Sequence, residues 1–121
     1  MNVAVIDDSA ADRFLARRVI AAVMRDADIT EYALANEALG AVQAATAPLL
    51  VFLDINMPGM DGFGFLDRVE PQIANAPVCV VMLTSSGDPA DRQRAAGYHC
   101  VKAYVEKPLS GEQLRSLLGS R

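Results

Sequence analysis

The chain has 121 residues, 52% hydrophobic and 21% charged, a composition typical of one globular domain. Its net charge is −4 without a basic run, which argues against direct nucleic-acid binding. Because no hydrophobic stretch approaches the ~20 residues of a membrane span and no signal peptide precedes the first strand, we expect a cytoplasmic protein without a membrane segment.

Short hydrophobic runs recur along the chain and predict five strands. The first, third and fourth runs are continuously hydrophobic and rich in Val, Ile and Leu, as strands buried on both faces are. The second run is more mixed, which suits the edge of a sheet. The predicted strands are Asn2–Ile6, Ile29–Leu34, Leu49–Leu53, Val78–Leu83 and Val101–Val105.

The stretches between the strands carry helix signals, mostly a polar residue able to cap the first turn. A first helix follows Ser9, and its hydrophobic face is formed by Leu15, Val19, Ala22 and Val23. The other predicted helices run from a cap at Asn36 to about Ala47, from about Phe63 to Glu70, from Asp88–Pro89 onward, and from the Ser110/Gln113 pair onward.

Five strand–helix units in alternation predict an α/β fold with a parallel sheet and helices on both faces. Ligands of such sheets bind beyond the carboxyl ends of the strands. Four predicted strands end in polar residues there, and together they supply three carboxylates, a hydroxyl and an ammonium. These residues are Asp7 and Asp8, Asp54, Thr84 and Lys107.

Each of these residue types has a role in one reaction. Neighbouring carboxylates repel one another, and Mg²⁺, which prefers oxygen ligands, relieves that repulsion. A carboxylate is also a nucleophile that can form an aspartyl-phosphate, while a lysine and a metal neutralise the phosphoryl oxygens. Taken singly, Asp7–Asp8 favours a cap and turn, Asp54 and Thr84 could also be turn or capping residues, and Lys107 could be a solvated loop residue. Their occurrence at the ends of four strands favours a common site.

The sequence resembles the receiver domain of two-component response regulators, of the single-domain chemotaxis-regulator type, over residues 1–121. The resemblance rests on the segments Val5–Ser9, Leu53–Gly62, Met82–Ser85 and Tyr104–Leu109. It implies a doubly wound, flavodoxin-like (βα)5 fold with five parallel strands in the order 2-1-3-4-5.

The resemblance also implies how the site residues act. Asp54 matches the phosphoacceptor, Asp8 and Asp54 the direct Mg²⁺ ligands, and Asp7 a ligand acting mostly through water. The backbone carbonyl of Asn56 would complete the metal site, which could hold Mn²⁺ instead.

Further positions match the switch. Lys107 matches the phosphate-binding lysine, Thr84 the switch hydroxyl and Tyr104 the switch aromatic. Asn56 and Ser86 occupy the two positions that tune the lifetime of the phosphate.

The implied function is a phosphorelay switch that accepts a phosphoryl group on Asp54 from a histidine kinase or a histidine phosphotransfer protein. It would catalyse only its own phosphorylation and dephosphorylation, and it would signal through the face formed by the fourth helix, fifth strand and fifth helix. Two alternatives stay open: a phosphate-independent pseudo-receiver, and a Mg²⁺-dependent phosphatase. The phosphatase is disfavoured because its best-known family has an aspartate at the position of Asn56.

One spacing departs from the family pattern. Gly97 lies seven residues before Tyr104, whereas the family has a Gly-Ala pair only a few residues before the switch aromatic. The sequence therefore predicts a longer or differently shaped loop before the fifth strand.

Overall fold

Five strands and five helices alternate along residues 1–119, the part of the chain that the computed structural model describes. Residues 120 and 121, the last two of the predicted domain, lie outside it. Within the described part, no helix has both the length and the hydrophobicity needed to cross a membrane. The strands are β1 Asn2–Ile6, β2 Asp28–Tyr32, β3 Leu49–Leu53, β4 Val78–Thr84 and β5 Val101–Glu106; the helices are α1 Ala10–Val23, α2 Ala35–Gln43, α3 Gly62–Val69, α4 Pro89–Ala96 and α5 Gly111–Gly119.

The strands form a parallel sheet in the order β2-β1-β3-β4-β5, so the predicted fold and strand order are confirmed. The mixed strand β2 lies at an edge, as its sequence predicts. Because side chains alternate along each strand, the sheet buries two hydrophobic layers. Helices α2, α3 and α4 pack on the layer that contains Ile6 and Leu53, and α1 and α5 pack on the layer that contains Val5 and Phe52.

Helix α2 differs from its prediction at both ends. It begins at Ala35, with Leu34 at the N-cap, so Asn36 lies in the first turn and cannot be the cap. It ends at Gln43 rather than near Ala47, because residues 44–48 carry the chain back to the start of β3. The other caps are as predicted: Ser9, Asp88 and Ser110 each accept a hydrogen bond from a backbone N–H of the following turn.

The inward face of α1 is as predicted at Val19 and Val23, which pack against the core, and the prediction is wrong at Leu15 and Ala22. Ala16 and Ile20 are buried against the sheet, whereas Leu15 is 50% exposed and Ala22 is exposed. Val19 and Val23 are half-buried. The hydrophobic stripe of α1 is wider than the surface it packs on, so hydrophobicity alone could not identify the buried positions.

Strand β5 contains a bulge at Lys102, two residues before Tyr104. Val80 pairs with Val101 and Val81 pairs with Ala103, so Lys102 has no partner in β4. The preceding loop is held against α3, since the Tyr98 hydroxyl donates to Asp67 and the Cys100 N–H donates to Glu70. On the carboxyl side of the bulge, β5 pairs regularly with β4, with Ala103 opposite Val81 and Tyr104 opposite Met82. The expected difference from the loops of the family stays a prediction.

Candidate functional site

Three aspartates meet beyond the carboxyl ends of β1 and β3. One carboxylate oxygen from each of Asp7, Asp8 and Asp54 lies within 4.8 Å of the others. Asp7 and Asp54 are buried, whereas Asp8 is exposed. The parallel sheet thus brings together the three carboxylates that the sequence predicts to be close.

The position of Asp54 is fixed by its backbone and by its own turn. Its N–H donates to the carbonyl oxygen of Ile6 at 3.0 Å, which extends the pairing of β1 and β3 by one step. Its Oδ1 accepts a hydrogen bond from the Ile55 N–H at 2.8 Å. The second oxygen, Oδ2, lies 3.1 Å from Lys107 Nζ. Both oxygens are therefore oriented before any ligand arrives.

Gly62, the first residue of α3, packs directly on the backbone of Asp54. A Cβ atom at this position would lie 2.4 Å from the Asp54 carbonyl oxygen and 2.9 Å from Ile55 Cα. The Gly62 N–H also donates to the Ile55 carbonyl at 2.8 Å. The glycine lets α3 approach the acceptor strand this closely. The turn before it uses a second glycine, Gly59, at φ 75°.

Lys107 crosses from the end of β5 to the acidic residues. Its Nζ lies 2.7 Å from Asp7, 2.9 Å from Asp12 and 3.1 Å from Asp54. Burial would lower the pKa of Lys107, but the hydrogen bonds to Asp7 and Asp12 and the charge of Asp54 raise it well above its ordinary value. The lysine is therefore a permanent cation at neutral pH.

Asp12 is the member of this group that sequence reasoning missed. It lies in the first turn of α1, four residues after Asp8, and it follows no strand. The sequence could have indicated Asp12 only through its position in the first turn of the helix that begins next to the site. That signal is weak, because acidic residues are common in first turns for reasons of helix stability.

The chemistry of the cluster fits a hard divalent cation. Burial raises the pKa of the Asp7 carboxyl above its usual value, and the neighbouring charge of Asp54 contributes, against the opposing hydrogen bonds from Lys107 and Ser9. The donors of Asp7, Asp8 and Asp54 are all carboxylate oxygens, which Mg²⁺ prefers. Asn56 lies exposed in the loop that follows β3, two residues after Asp54.

The two remaining switch candidates are joined through Ser86. Thr84 is fully buried at the end of β4, and its Oγ1 accepts a hydrogen bond from the Ser86 N–H at 3.3 Å. The hydroxyl of Tyr104 donates to the Ser86 carbonyl oxygen at 2.9 Å. The Ser86 hydroxyl itself donates to Asp91 at 2.7 Å, towards α4. One loop residue thus contacts both Thr84 and Tyr104.

An acidic cluster with a lysine, beyond the carboxyl ends of a parallel sheet of order 2-1-3-4-5, is the arrangement that the resemblance to receiver domains implies. Residues 3–119 match the sequence model described as the response regulator receiver domain, and the chain belongs to this family. Receiver domains are signalling switches of two-component systems, and they typically bind Mg²⁺ at an acidic pocket.

Individual relatives agree with this assignment. The chain is similar to the crystal structure of a two component response regulator from Cytophaga hutchinsonii, with 32% identity and a TM-score of 0.83, covering 97% of this chain and 92% of that one. It is 28% identical over 116 residues to the cyclic di-GMP phosphodiesterase response regulator RpfG of Xanthomonas campestris pv. campestris, covering 96% of this chain and 30% of the relative. It is 39% identical over 71 residues to a probable chemotaxis protein CheY of Rhizobium etli, covering 57% of this chain and 53% of the relative.

The chain spans between 30% and 53% of the length of these first curated relatives. Family membership therefore concerns the receiver region.

Proposed function

We propose that the chain is a phosphorylatable signalling switch that accepts a phosphoryl group on Asp54 from a phosphohistidine donor. The observation that carries the proposal is the Asp54 carboxylate itself. It is buried within a cluster of carboxylates. One of its oxygens accepts a hydrogen bond from the Ile55 N–H, and the other accepts one from Lys107 Nζ. A carboxylate held in this way is a competent acceptor for phosphoryl transfer.

In the proposed transfer, an Asp54 oxygen attacks the phosphorus of the phosphohistidine. The new P–O bond forms as the P–N bond breaks, and the imidazole leaves and takes up a proton from solvent. Lys107 stays protonated and offers an N–H to the phosphoryl oxygens. Mg²⁺, or Mn²⁺ in its place, would be held by Asp7, Asp8, Asp54 and the Asn56 carbonyl, and would neutralise charge on the same oxygens.

The switch step would follow from the contacts of Ser86. We propose that the phosphoryl group draws the Thr84 hydroxyl away from the Ser86 N–H, which changes the loop whose carbonyl accepts from Tyr104. The result is a population shift between two loop conformations, limited by the difference in contacts that each conformation makes. Asn56 and Ser86 are the proposed tuners of the phosphate lifetime.

Partner binding is proposed in the same terms. A histidine kinase or a phosphotransfer protein would supply the phosphoryl group. A downstream protein would read the face formed by α4, β5 and α5, which carries Tyr104. On this proposal the chain catalyses only its own phosphorylation and dephosphorylation, and its cytoplasmic location stays a prediction.

The test is intact mass spectrometry after incubation with acetyl phosphate and with phosphoramidate, each with and without Mg²⁺. We expect a gain of about 80 Da that requires Mg²⁺ and is absent from Asp54→Asn, since an amide is not a nucleophile of this kind. Asp28→Asn, a change in an exposed aspartate at the opposite end of the sheet, should label like the wild type.

Labelling that persists in Asp54→Asn would show that another residue is the acceptor. A folded protein that gains mass from neither donor would favour the alternative of a phosphate-independent pseudo-receiver. Steady release of inorganic phosphate from a phosphate ester supplied in excess would favour a phosphatase.

A further inference from the structure

Lys107 Nζ pairs with three carboxylates and donates hydrogen bonds to two of them, Asp12 and Asp54. An ammonium group has three hydrogens and no acceptor. Asp7, Asp12 and Asp54 each place an oxygen between 2.7 and 3.1 Å from Nζ, so together they can use all three. Two of them are buried, with 5% and 7% of their side chains exposed, whereas the Asp12 side chain is 38% exposed. Asp12 is the accessible, additional member of the group.

We propose that Asp12 is a positioning residue that opposes phosphorylation of Asp54 by occupying Lys107. This inference rests on the proposed function and concerns regulation of the same site. A phosphoryl group on Asp54 can take over the N–H that Asp54 releases. The N–H that Asp12 accepts stays bonded to Asp12, so Lys107 can donate only one hydrogen bond to the phosphoryl oxygens. Without the Asp12 carboxylate, Lys107 could donate two.

The negative charge of Asp12 also opposes phosphorylation of Asp54. Two groups bound to neighbouring hydrogens of one ammonium lie about 5 Å apart, as the tetrahedral geometry of the nitrogen requires. A phosphoryl oxygen that accepts a hydrogen bond from Lys107 would therefore lie close to the Asp12 carboxylate, which has the same sign of charge. The repulsion raises the free energy of the phosphorylated protein relative to the unphosphorylated one.

The opposite role, in which Asp12 holds Lys107 in place, is disfavoured by the other contacts of the lysine. Asp7 and Asp54 already fix Nζ from two directions. The backbone N–H of Lys107 donates to the Thr84 carbonyl at 2.8 Å, which fixes the start of the side chain. The start of α1 also survives substitution, because the Ser9 cap uses the backbone N–H of residue 12.

The experiment compares the phosphorylated fraction of Asp12→Asn with that of the wild type, at a limiting concentration of acetyl phosphate with Mg²⁺. We expect roughly a five-fold increase for Asp12→Asn, a value reduced from the unscreened repulsion because the Asp12 carboxylate is partly in water. Asp12→Glu keeps the charge and should return to the wild-type level.

A matched control is Glu37→Gln. It also removes one negative charge from the first turn of a helix, here α2, at an exposed position that the site does not use. This variant should be phosphorylated like the wild type, which would separate a contact through Lys107 from a general effect of net charge.

Three results would overturn the inference while leaving the proposed function intact. They are an unchanged or lower phosphorylated fraction in Asp12→Asn, an equal increase in Glu37→Gln, and an increase in Asp12→Glu as large as that in Asp12→Asn. Absence of labelling in the wild type, with acetyl phosphate and with phosphoramidate alike, would overturn both. The wild-type and Asp54→Asn samples, run in parallel, tell the two cases apart.

Discussion

The guanidinium group of Arg92 lies over the ring of Tyr104, 4.6 Å from the ring centroid. The same guanidinium approaches the Tyr104 carbonyl oxygen at 3.5 Å and pairs with Glu106 at 3.6 Å. Helix α4 thus covers the outer side of the aromatic residue whose hydroxyl is bonded to Ser86. Arg92 and Ser86 together hold Tyr104 against the β4–α4 loop.

Removing the guanidinium should therefore loosen Tyr104. A cation–π contact at an exposed site contributes about 0.5–1 kcal/mol, so Arg92→Ala should raise the population of outward Tyr104 conformers by about two- to five-fold. The measurement is ¹⁹F NMR of protein labelled with fluorotyrosine, in which Tyr104 is assigned through Tyr104→Phe.

Arg94 provides the control, two residues further along α4. Its guanidinium lies 4.2 Å from the ring centroid of Phe63, on a different aromatic residue. Arg94→Ala should leave the Tyr104 resonance unchanged. Equal shifts in the two variants would show that α4 as a whole had moved, and that Arg92 has no specific effect.

Removing the cation at the centre of the site should destabilise the protein. Lys107→Met removes the cation that pairs with the carboxylates of Asp7, Asp12 and Asp54. We expect the free energy of unfolding at pH 7 without metal to fall by about 3 kcal/mol, the usual cost of breaking a buried ion pair. Urea unfolding followed by circular dichroism measures it.

Metal and protons should each offset this loss. Mg²⁺ should stabilise Lys107→Met more than it stabilises the wild type, because the metal then replaces the cation that the carboxylates have lost. Lowering the pH towards 5 should also stabilise the variant, since burial raises the pKa of Asp7 and this carboxyl binds a proton more readily in the folded protein than in the unfolded one. Lys102→Met, the same change at the exposed bulge residue, should show neither effect.

Two Gly→Ala substitutions should change the free energy of unfolding in opposite directions. Gly62→Ala places a Cβ 2.4 Å from a backbone carbonyl oxygen, and backbone can move aside only by displacing α3 or β3. We expect a loss of more than about 2 kcal/mol of unfolding free energy, in the range of overpacking. Gly40 lies inside α2 with nothing within 4 Å of the added Cβ, so Gly40→Ala should stabilise by about 0.5–1 kcal/mol.

Thermal unfolding of the two variants would measure this difference. If Gly62→Ala unfolds like the wild type, the close approach of α3 to Asp54 is not required by the fold.

The thiol of Cys100 should react slowly. Burial and the hydrogen bond and charge of Glu70 raise its pKa to about 12. In a Cys79→Ser background, alkylation by iodoacetamide at pH 8 should be about a thousandfold slower than in urea, because so little thiolate is present. Since the pKa is raised, the rate should keep rising with pH beyond 9, where an ordinary thiol levels off.

Glu70→Gln should speed this reaction, because it removes the neighbouring negative charge while leaving an oxygen to accept the Cys100 N–H. A rate that levels off near pH 9 in the folded protein would contradict the raised pKa.

The sheet could be predicted from the sequence because its central strands are continuous hydrophobic runs. The acidic cluster could be predicted because the carboxyl ends of parallel strands lie at the same edge of the sheet. Strand order came from the resemblance, since local periodicity carries no information on which strands are neighbours. Asp12 was missed because its contact depends on how α1 lies relative to the end of β5. The end of α2 was missed because it is set by the distance back to β3. The roles of Asp54, Thr84 and Lys107 stay predictions until labelling is measured.

The unpaired Lys102 in β5 has a consequence for aligning this chain with its relatives. Because Lys102 is the unpaired residue, the residues on its carboxyl side, from Ala103 to Glu106, keep a regular register with β4. Counting back from Lys107 therefore reaches Tyr104, the predicted switch aromatic, without crossing the bulge, whereas counting forward from Gly97 crosses it. A gap placed at Lys102 itself, on the amino side of Ala103, keeps the equivalent side chains on the same face of the sheet.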